Sequence, residues 1–327
     1  MKLRQKVILA ALLLSVTILP ALALAYTLNN GTGDGTVSVG VDGYGAYGAE
    51  ATGTSGARFD PFGVAVPRDS SLLIASSVAI RFDGTGTRTF LAAGTFGTHA
   101  GLDPPHPTPS GSLTSASSSF DYNNLHFDLV QSLNPVMSGG SQVGTVLTRT
   151  YTITNNDSGS QNFEMVHYLD ADFKYSTEVF YDDDGGGLLT LNGIQVLFIT
   201  DVVGDPGTYC DAYIAIDALG GIIPTSGRYE LDSYSGLLTR MQNGSALDGT
   251  IYNDTDADNF INTGYDVTAA LLNNYSLGSN ASTTYTTHTY FISGVPNNLN
   301  SIPIPGTLLL LASGLLGLLG WRGRKHN

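Results

Sequence analysis

The sequence predicts an all-β protein whose main domain is an antiparallel β-sandwich. Three observations predict it: a hydrophobic period of two, turn residues between the periodic runs, and no long amphipathic run of helical period with caps. Hydrophobic residues make up 42% of the 327 residues, so the chain has enough apolar side chains for a core. The 40 glycines and 13 prolines follow no triplet period, which excludes a collagen-like chain.

The clearest strand pattern begins at Phe163, where apolar side chains and His167 alternate with more polar ones as far as residue 173. Residues 146–155 form another strand, and the turn residues 156–160 between them predict a hairpin. His167 lies on the apolar face, which favours a hydrogen-bonded core histidine. The other predicted strands cover residues 71–82, 126–133, 188–200, 209–216, 227–231 and 284–293.

The segment 103–119 is rich in proline and serine and predicts a long exposed loop or linker. It could divide two β-domains near residue 120, but no change in charge accompanies it. The simpler interpretation is one acidic ectodomain over residues 26–300.

The N-terminus predicts a secretory signal peptide, residues 1–25. Three basic residues precede an apolar run, and Ala23 and Ala25 are the small residues that a signal peptidase requires before its cleavage site. The exported protein should therefore begin at Tyr26. A retained membrane anchor is the alternative, although the run is short for a spanning helix and Pro20 interrupts it.

The C-terminal residues 301–327 combine three features in a fixed order. Pro303 and Pro305 flank Ile304, an apolar stretch then predicts a transmembrane helix at 307–321, and basic residues follow it. The residues expected to stop transfer and to remain in the cytoplasm are Trp321, Arg322, Arg324 and Lys325.

This arrangement resembles the PEP-CTERM sorting signal of Gram-negative bacteria, with Ile304 where the commonest form has Glu. The resemblance implies that an exosortase-type enzyme cuts the chain near the two prolines after a transient stay in the inner membrane. It also implies release to the outer surface or to an extracellular, exopolysaccharide-containing matrix. A plain single-span anchor is the alternative.

Charge excludes one class of partner. Of 14 basic residues, six lie in the two ends, which leaves eight against 28 acidic residues and a net charge of −20 between them. Such a surface repels phosphate backbones, so nucleic acid is not an expected partner. The single Cys210 cannot form an internal disulfide and is expected to be a small buried hydrophobe.

One acidic stretch predicts a calcium site. Asp254, Asp256 and Asp258 are spaced two residues apart, as in a loop that curls around a hard cation. A complete EF-hand loop would have Gly in place of Asn259 and Glu in place of Tyr265, so a solvated acidic turn is the alternative. Residues 182–184, followed by three glycines, are a second, weaker candidate.

No catalytic motif is evident in the sequence. It contains no nucleophile elbow, P-loop lysine or HExxH pair, and no two histidines are spaced to share a metal on one element. We therefore expect no cofactor other than calcium, and an exported, non-enzymatic protein with a structural or adhesive role, associated with exopolysaccharide in a biofilm. The alternative is a secreted carbohydrate-binding or carbohydrate-active protein.

Overall fold

The structure is a computed structural model that describes residues 25–52, 57–61, 71–94, 101–172, 174–175, 178–179, 184–191, 193–201 and 212–294. Within these ranges it is mostly antiparallel β-sheet with one helix longer than a single turn, which confirms the predicted all-β class. The strands are β1 (Tyr26–Asn29), β2 (Val37–Val41), β3 (Tyr47–Gly48), β4 (Ala57–Phe59), β5 (Ser71–Phe82), β6 (Thr89–Leu91), β7 (Leu102–Asp103), β8 (Ser110–Ser112), β9 (Ser115–Tyr122), β10 (Leu125–Ser138), β11 (Ser141–Asn155), β12 (Gln161–Asp172), β13 (Lys174–Tyr175), β14 (Glu178–Val179), β15 (Asp184–Leu191), β16 (Ile194–Asp201), β17 (Ala212–Leu219), β18 (Tyr229–Ser233), β19 (Val267–Leu277) and β20 (Ser282–Ser293). The helical segments are α1 (Ala49–Thr52) and α2 (Tyr234–Asn243).

Two nine-stranded sheets form a sandwich. The first sheet has the order β1-β2-β3-β5-β12-β19-β18, with β4 and β6 attached to β5. The second sheet has the order β15-β16-β17-β20-β11-β10-β9-β7, with β8 attached to β9. Strands β13 and β14 pair only with each other among the described strands.

The core lies between the inner faces of the two sheets. Alternate residues of each central strand point into it, as the period of two predicts. On β12 these are Phe163, Met165, Leu169 and Ala171, all fully or almost fully buried. The strand predicted from Phe163 is therefore correct, and His167 lies on the same inner face and is buried.

The predicted hairpin of residues 146–155 and 163–173 is wrong. β11 pairs with β10 and β20 in the second sheet, whereas β12 pairs with β5 and β19 in the first. The turn at 156–160 thus carries the chain from one sheet to the other. Turn chemistry fixes where the chain reverses direction, but it does not determine which strands then pair.

Residues 188–200, predicted as one strand, form two. β15 and β16 pair as an antiparallel hairpin with Leu191 opposite Ile194. Gly193 in the turn has a φ of +83°, which favours glycine. The Asn192-Gly193 dipeptide is a strong hairpin signal that the sequence analysis missed.

The segment 103–119 is not a loop throughout, because it contributes β8 and part of β9. Both sheets take strands from each side of residue 120: β5 pairs with β12, and β9 pairs with β10. A domain boundary at that position would cut through the first sheet.

Helix α2 was not predicted. Its N-cap residue, Ser233, makes no side-chain capping bond, and the first turn has no acidic residue. Two signals were present at its other end: Arg240 in the last turn, and Gly244 in the left-handed conformation at the C-cap. Leu237 and Met241, four residues apart, give the helix its buried stripe.

In the described part of the chain no helix is long and apolar enough to cross a membrane. The predicted signal peptide up to residue 24, with Ala23, lies outside the described residues, as do Cys210 and the whole C-terminal segment with Pro303, Pro305 and the predicted span 307–321.

Candidate functional site

The predicted calcium loop brings its three carboxylates together. Oxygen atoms of Asp254, Asp256 and Asp258 all lie within 4.8 Å of one another. Part of the ligand capacity is already used inside the loop, because Asp254 accepts hydrogen bonds from the backbone N–H groups of Asp258 (3.2 Å) and Asn259 (3.1 Å). Asn259 has a φ of +71°, a conformation that asparagine tolerates better than most residues. The geometry is compatible with a cation, and calcium there stays a prediction.

Glycines allow this acidic loop to lie against the edge of the second sheet. The Leu188 N–H donates to the carbonyl of Asn259 (3.0 Å), and the Ile261 N–H donates to the carbonyl of Gly186 (2.9 Å). A Cβ atom on Gly187 would lie 2.6 Å from the Asn259 carbonyl oxygen, too close for any other residue. The glycine run after residue 184 therefore serves close backbone contact between β15 and the loop.

A second acidic group combines residues that are distant in sequence. Carboxylate oxygens of Asp172, Asp184 and Asp266 also lie within 4.8 Å of one another, with Asp184 buried. Asp184 comes from the stretch predicted as a weaker cation candidate, Asp172 is the last residue of β12, and Asp266 immediately precedes β19. Residues 182 and 183 lie outside the described part. The Tyr265 N–H donates to the Asp184 carbonyl (3.2 Å), which holds the segment before β19 against β15.

His167 belongs to a polar cluster between the sheets. Arg149, also buried, donates to His167 Nε2 and to the carbonyl of Gly45 (2.7 Å), and it lies over the ring of Tyr47 at 4.7 Å. A guanidinium can only donate, so the proton of the imidazole is on Nδ1, which donates to the Asp217 carbonyl (3.2 Å). Burial, and then Arg149, hold the pKa of His167 well below its usual value. The histidine is a neutral core residue, as predicted.

Asp217 links this cluster to the outer face of the second sheet. Its side chain contacts Nδ1 of His288 (2.7 Å) and accepts a hydrogen bond from the Tyr290 hydroxyl (3.0 Å). All three residues are buried, and burial and Asp217 raise the pKa of Tyr290. A carboxylate that orients an imidazole is a common catalytic arrangement, but here the side chains of Asp217 and His288 are each only 3% exposed.

Beyond His288 the outer face of the second sheet carries a two-dimensional set of hydroxyl side chains. The register of β9, β10, β11 and β20 aligns them in four rows. The rows are Ser115-Ser132-Thr148-His288, Ser117-Val130-Thr150-Thr286, Ser119-Asp128-Thr152-Thr284 and Asp121-His126-Thr154-Ser282. We call these sixteen positions the hydroxyl array, since eleven of them are Ser or Thr.

The hydroxyl array is open to solvent except at His288. Its other side chains are exposed or half-buried, with Val130 50% exposed near the centre. Within it, the hydroxyls of Thr154 and Ser282 lie 2.8 Å apart, and those of Thr150 and Thr286 lie 3.4 Å apart. The hydroxyls of Thr152 and Thr284 make no side-chain hydrogen bond to the described part of the chain.

Charge in the hydroxyl array is confined to one side. It contains no Lys or Arg. Its two carboxylates, Asp121 and Asp128, both contact the ring of His126, at 2.7 and 3.4 Å. The contact with Asp121 raises the pKa of that histidine. The eleven Ser and Thr side chains and Val130 are neutral at any ordinary pH.

Neither the hydroxyl array nor the Asp217 group was predicted from the sequence. The signal for the first was the run Thr148, Thr150, Thr152 and Thr154 at a period of two, which gives one face of a single strand. Nothing in the sequence shows that β20 lies beside it, because those strands are more than 120 residues apart. The Asp217 group has no local sequence signal, since its residues come from two strands.

No family model matches this chain, and no curated protein matches it. Among solved structures, a bacterial glucoamylase complexed with acarbose is similar over 84% of this chain and 34% of its own, with 7% identity and a TM-score of 0.42. A galactose mutarotase related enzyme from Lactobacillus acidophilus is similar over 84% of this chain and 99% of its own, with 8% identity and a TM-score of 0.38. A putative kojibiose phosphorylase from human microbiome is similar over 67% of this chain and 22% of its own, with 10% identity and a TM-score of 0.35. The chain thus spans about a third of the glucoamylase and less of the phosphorylase.

Proposed function

We propose that this protein is exported to the cell surface or extracellular matrix, where it binds polysaccharide without cleaving it. The observation that carries the proposal is a contrast between two sets of polar side chains. The side chains of Asp217, His167 and His288 are buried and bonded to one another or to the core, and the exposed His126 is paired with Asp121 and Asp128 at one corner of the hydroxyl array. Most of the large open surface consists of Ser and Thr hydroxyls, and in the described part of the chain none of these is hydrogen-bonded to an imidazole that could activate it as a nucleophile.

The two ends of the sequence support the export part of the proposal. Cleavage after Ala25 by signal peptidase would leave every described strand intact, because β1 begins at Tyr26. Removal of the tail near Pro303 and Pro305 by an exosortase-type enzyme would likewise spare β20, which ends at Ser293. Mass spectrometry of surface-released protein tests both. A start at Met1, or intact peptides from residues 308–321, would contradict this processing.

The experiment that tests binding without cleavage uses one set of polysaccharides and two measurements. We expect retention of the purified protein by at least one neutral polysaccharide and no release of reducing ends from it. Release of reducing ends that depends on the protein would show an enzyme. Failure to bind any neutral or charged polysaccharide would contradict the proposed function.

A carbohydrate-cleaving enzyme is the second candidate, and the Asp217–His288 pair is the observation that favours it. If the pair were catalytic, His288→Gln should abolish turnover while leaving polysaccharide retention in place. Under the proposed function there is no turnover to abolish, and the substitution acts only on stability.

A further inference from the structure

The hydroxyl array is uncharged over most of its area, on an acidic protein. Its half on β11 and β20, around Thr150, Thr152, Thr284 and Thr286, carries no charge, whereas the chain between the two ends carries −20. The geometry points to this array as the binding site of a neutral, long-chain polysaccharide that lies extended over it. This inference rests on the proposed function and adds the place of binding and the class of ligand.

The size of the array suits an extended polymer. Three gaps between four strands make it about 15 Å wide, and three steps of two residues make it about 20 Å long. The surface is a sheet face whose side chains, His288 apart, are exposed or half-buried, so the described residues of the array do not enclose a single sugar. A ligand that fills such a surface has to be several sugar units long.

The chemistry of the array complements a sugar polymer. Each Ser or Thr hydroxyl donates one hydrogen bond and accepts others, as sugar hydroxyls do. The methyl groups of the threonines and the side chain of Val130 offer small apolar contacts between them. The array therefore presents alternating polar and apolar groups of the kind found along a neutral polysaccharide.

The contacts of the array predict that binding depends on polymer length. The array has no Trp, Tyr or Phe, so stacking of sugar rings on an aromatic side chain is absent from it. A neutral hydrogen bond replaces one to water and contributes little by itself. Useful affinity then requires many contacts along one chain, and a long polymer can also rebind before it leaves.

Charge selects a neutral ligand. An anionic polymer meets no Lys or Arg on the array and is repelled by the net charge of the protein. A cationic ligand is drawn to Asp121 and Asp128 at one corner of the array and to the acidic groups around Asp256 and Asp184 at the far edge of the second sheet. Of an anionic and a neutral polymer, only the neutral one gains contacts on the array without an electrostatic penalty.

The test is affinity electrophoresis of the purified full chain in gels that contain amylose, a linear β-glucan, a galactan or alginate. The first variant carries Thr152→Lys and Thr286→Lys in the uncharged half of the array on β11 and β20. The second carries Thr152→Val and Thr286→Val, which remove the hydroxyls but preserve shape and strand propensity. The matched control carries Thr27→Lys and Thr190→Lys, two exposed strand threonines outside the array.

We expect the wild type and the control to be retarded by a neutral gel, also in 1 M salt. The lysine variant should bind at least tenfold more weakly, and the valine variant should lie between. Equal retardation of all proteins by a neutral gel would place the site elsewhere and overturn the inference, while the proposed function would stand. Retardation by alginate alone, lost in salt, would overturn the neutral ligand. No retardation of the wild type in any gel would overturn both.

Discussion

The outer faces of the two sheets differ in what covers them. On the first sheet, outward positions such as Val166, Tyr168 and Leu272 are apolar and lie under Leu237 and Met241 of α2. On the second sheet, apolar outward positions are grouped around Tyr290 and Phe198, where Phe260 of the acidic loop packs on them. The rest of that face is the hydroxyl array. Outward residue type thus shows, strand by strand, whether a face is covered or open.

Ion pairs reinforce the covered face. Glu164 on β12 accepts hydrogen bonds from Arg81 (2.8 Å) and from Arg88 (2.7 Å), whose side chain is fully buried. Arg88 and Arg81 also donate to the carbonyls of Arg240 and Gly244 at the end of α2. Covering the first sheet therefore depends on charge as well as on apolar contact.

The largest expected effect comes from breaking this ion-pair group. Glu164→Gln leaves the buried guanidinium of Arg88 without a counter-charge, which costs about 3–5 kcal/mol of unfolding free energy. Urea titration measures it. Asp128→Asn on the open face is the control and should change the free energy by less than about 1 kcal/mol. A loss of unfolding free energy below about 1 kcal/mol for Glu164→Gln would show that these ion pairs do not stabilise the packing of α2 on the first sheet.

The second-largest effect is expected from shortening a side chain of α2, the helix that covers the first sheet. Leu237 is fully buried against the first sheet, so Leu237→Ala should cost about 2–5 kcal/mol through lost burial and a cavity. Thr152→Ala on the open face leaves no cavity and should cost less than about 1 kcal/mol. Equal losses for the two variants, measured by urea titration, would show that the two faces are not covered differently.

Calcium should act on the acidic edge of the second sheet. A bound ion stabilises the fold by about 2.7 kcal/mol at a hundredfold excess over Kd, so millimolar calcium should raise Tm. Magnesium should raise it less, because it demands tighter octahedral geometry. Asp256→Ala should remove the rise, whereas Thr152→Ala should preserve it. An identical rise in Asp256→Ala would exclude the 254–258 loop as the site.

The smallest expected effect is a dependence of the unfolding free energy on pH. Burial, and then Asp248, raise the pKa of Glu230 to about 7, and burial raises that of Asp42 to about 7. Folding therefore favours their protonated forms, so this stability is present in full below about pH 4 and is lost as pH rises through 7. Glu230→Gln should reduce the slope of unfolding free energy against pH by roughly half. An unchanged slope would contradict the raised pKa.

The sequence predicted the elements better than their partners. β5 was predicted to the residue, and the alternation from Phe163 identified the inner face of β12 and the buried His167. The hairpin of β11 with β12 was wrong because a local turn carries no information about sheet membership. β19 was missed although it is an interior strand of the first sheet, between β12 and β18. It is buried on both faces, so its sequence is a continuous run with little alternation.

The candidate site was predictable only where it is local. Asp254, Asp256 and Asp258 are close in sequence, and the structure brings them together. The hydroxyl array needs the register between β11 and β20, which non-local pairing alone determines.

The most direct test of the central claim measures affinity against polymer length. Fragments of one neutral polysaccharide that retards the protein are separated by size, and the Kd of each is determined by titration calorimetry. The account predicts that short oligosaccharides do not bind measurably and that Kd falls as fragments grow to span the roughly 20 Å array. A disaccharide that binds as tightly as the polymer would indicate an enclosed sugar pocket and contradict binding on an open sheet face.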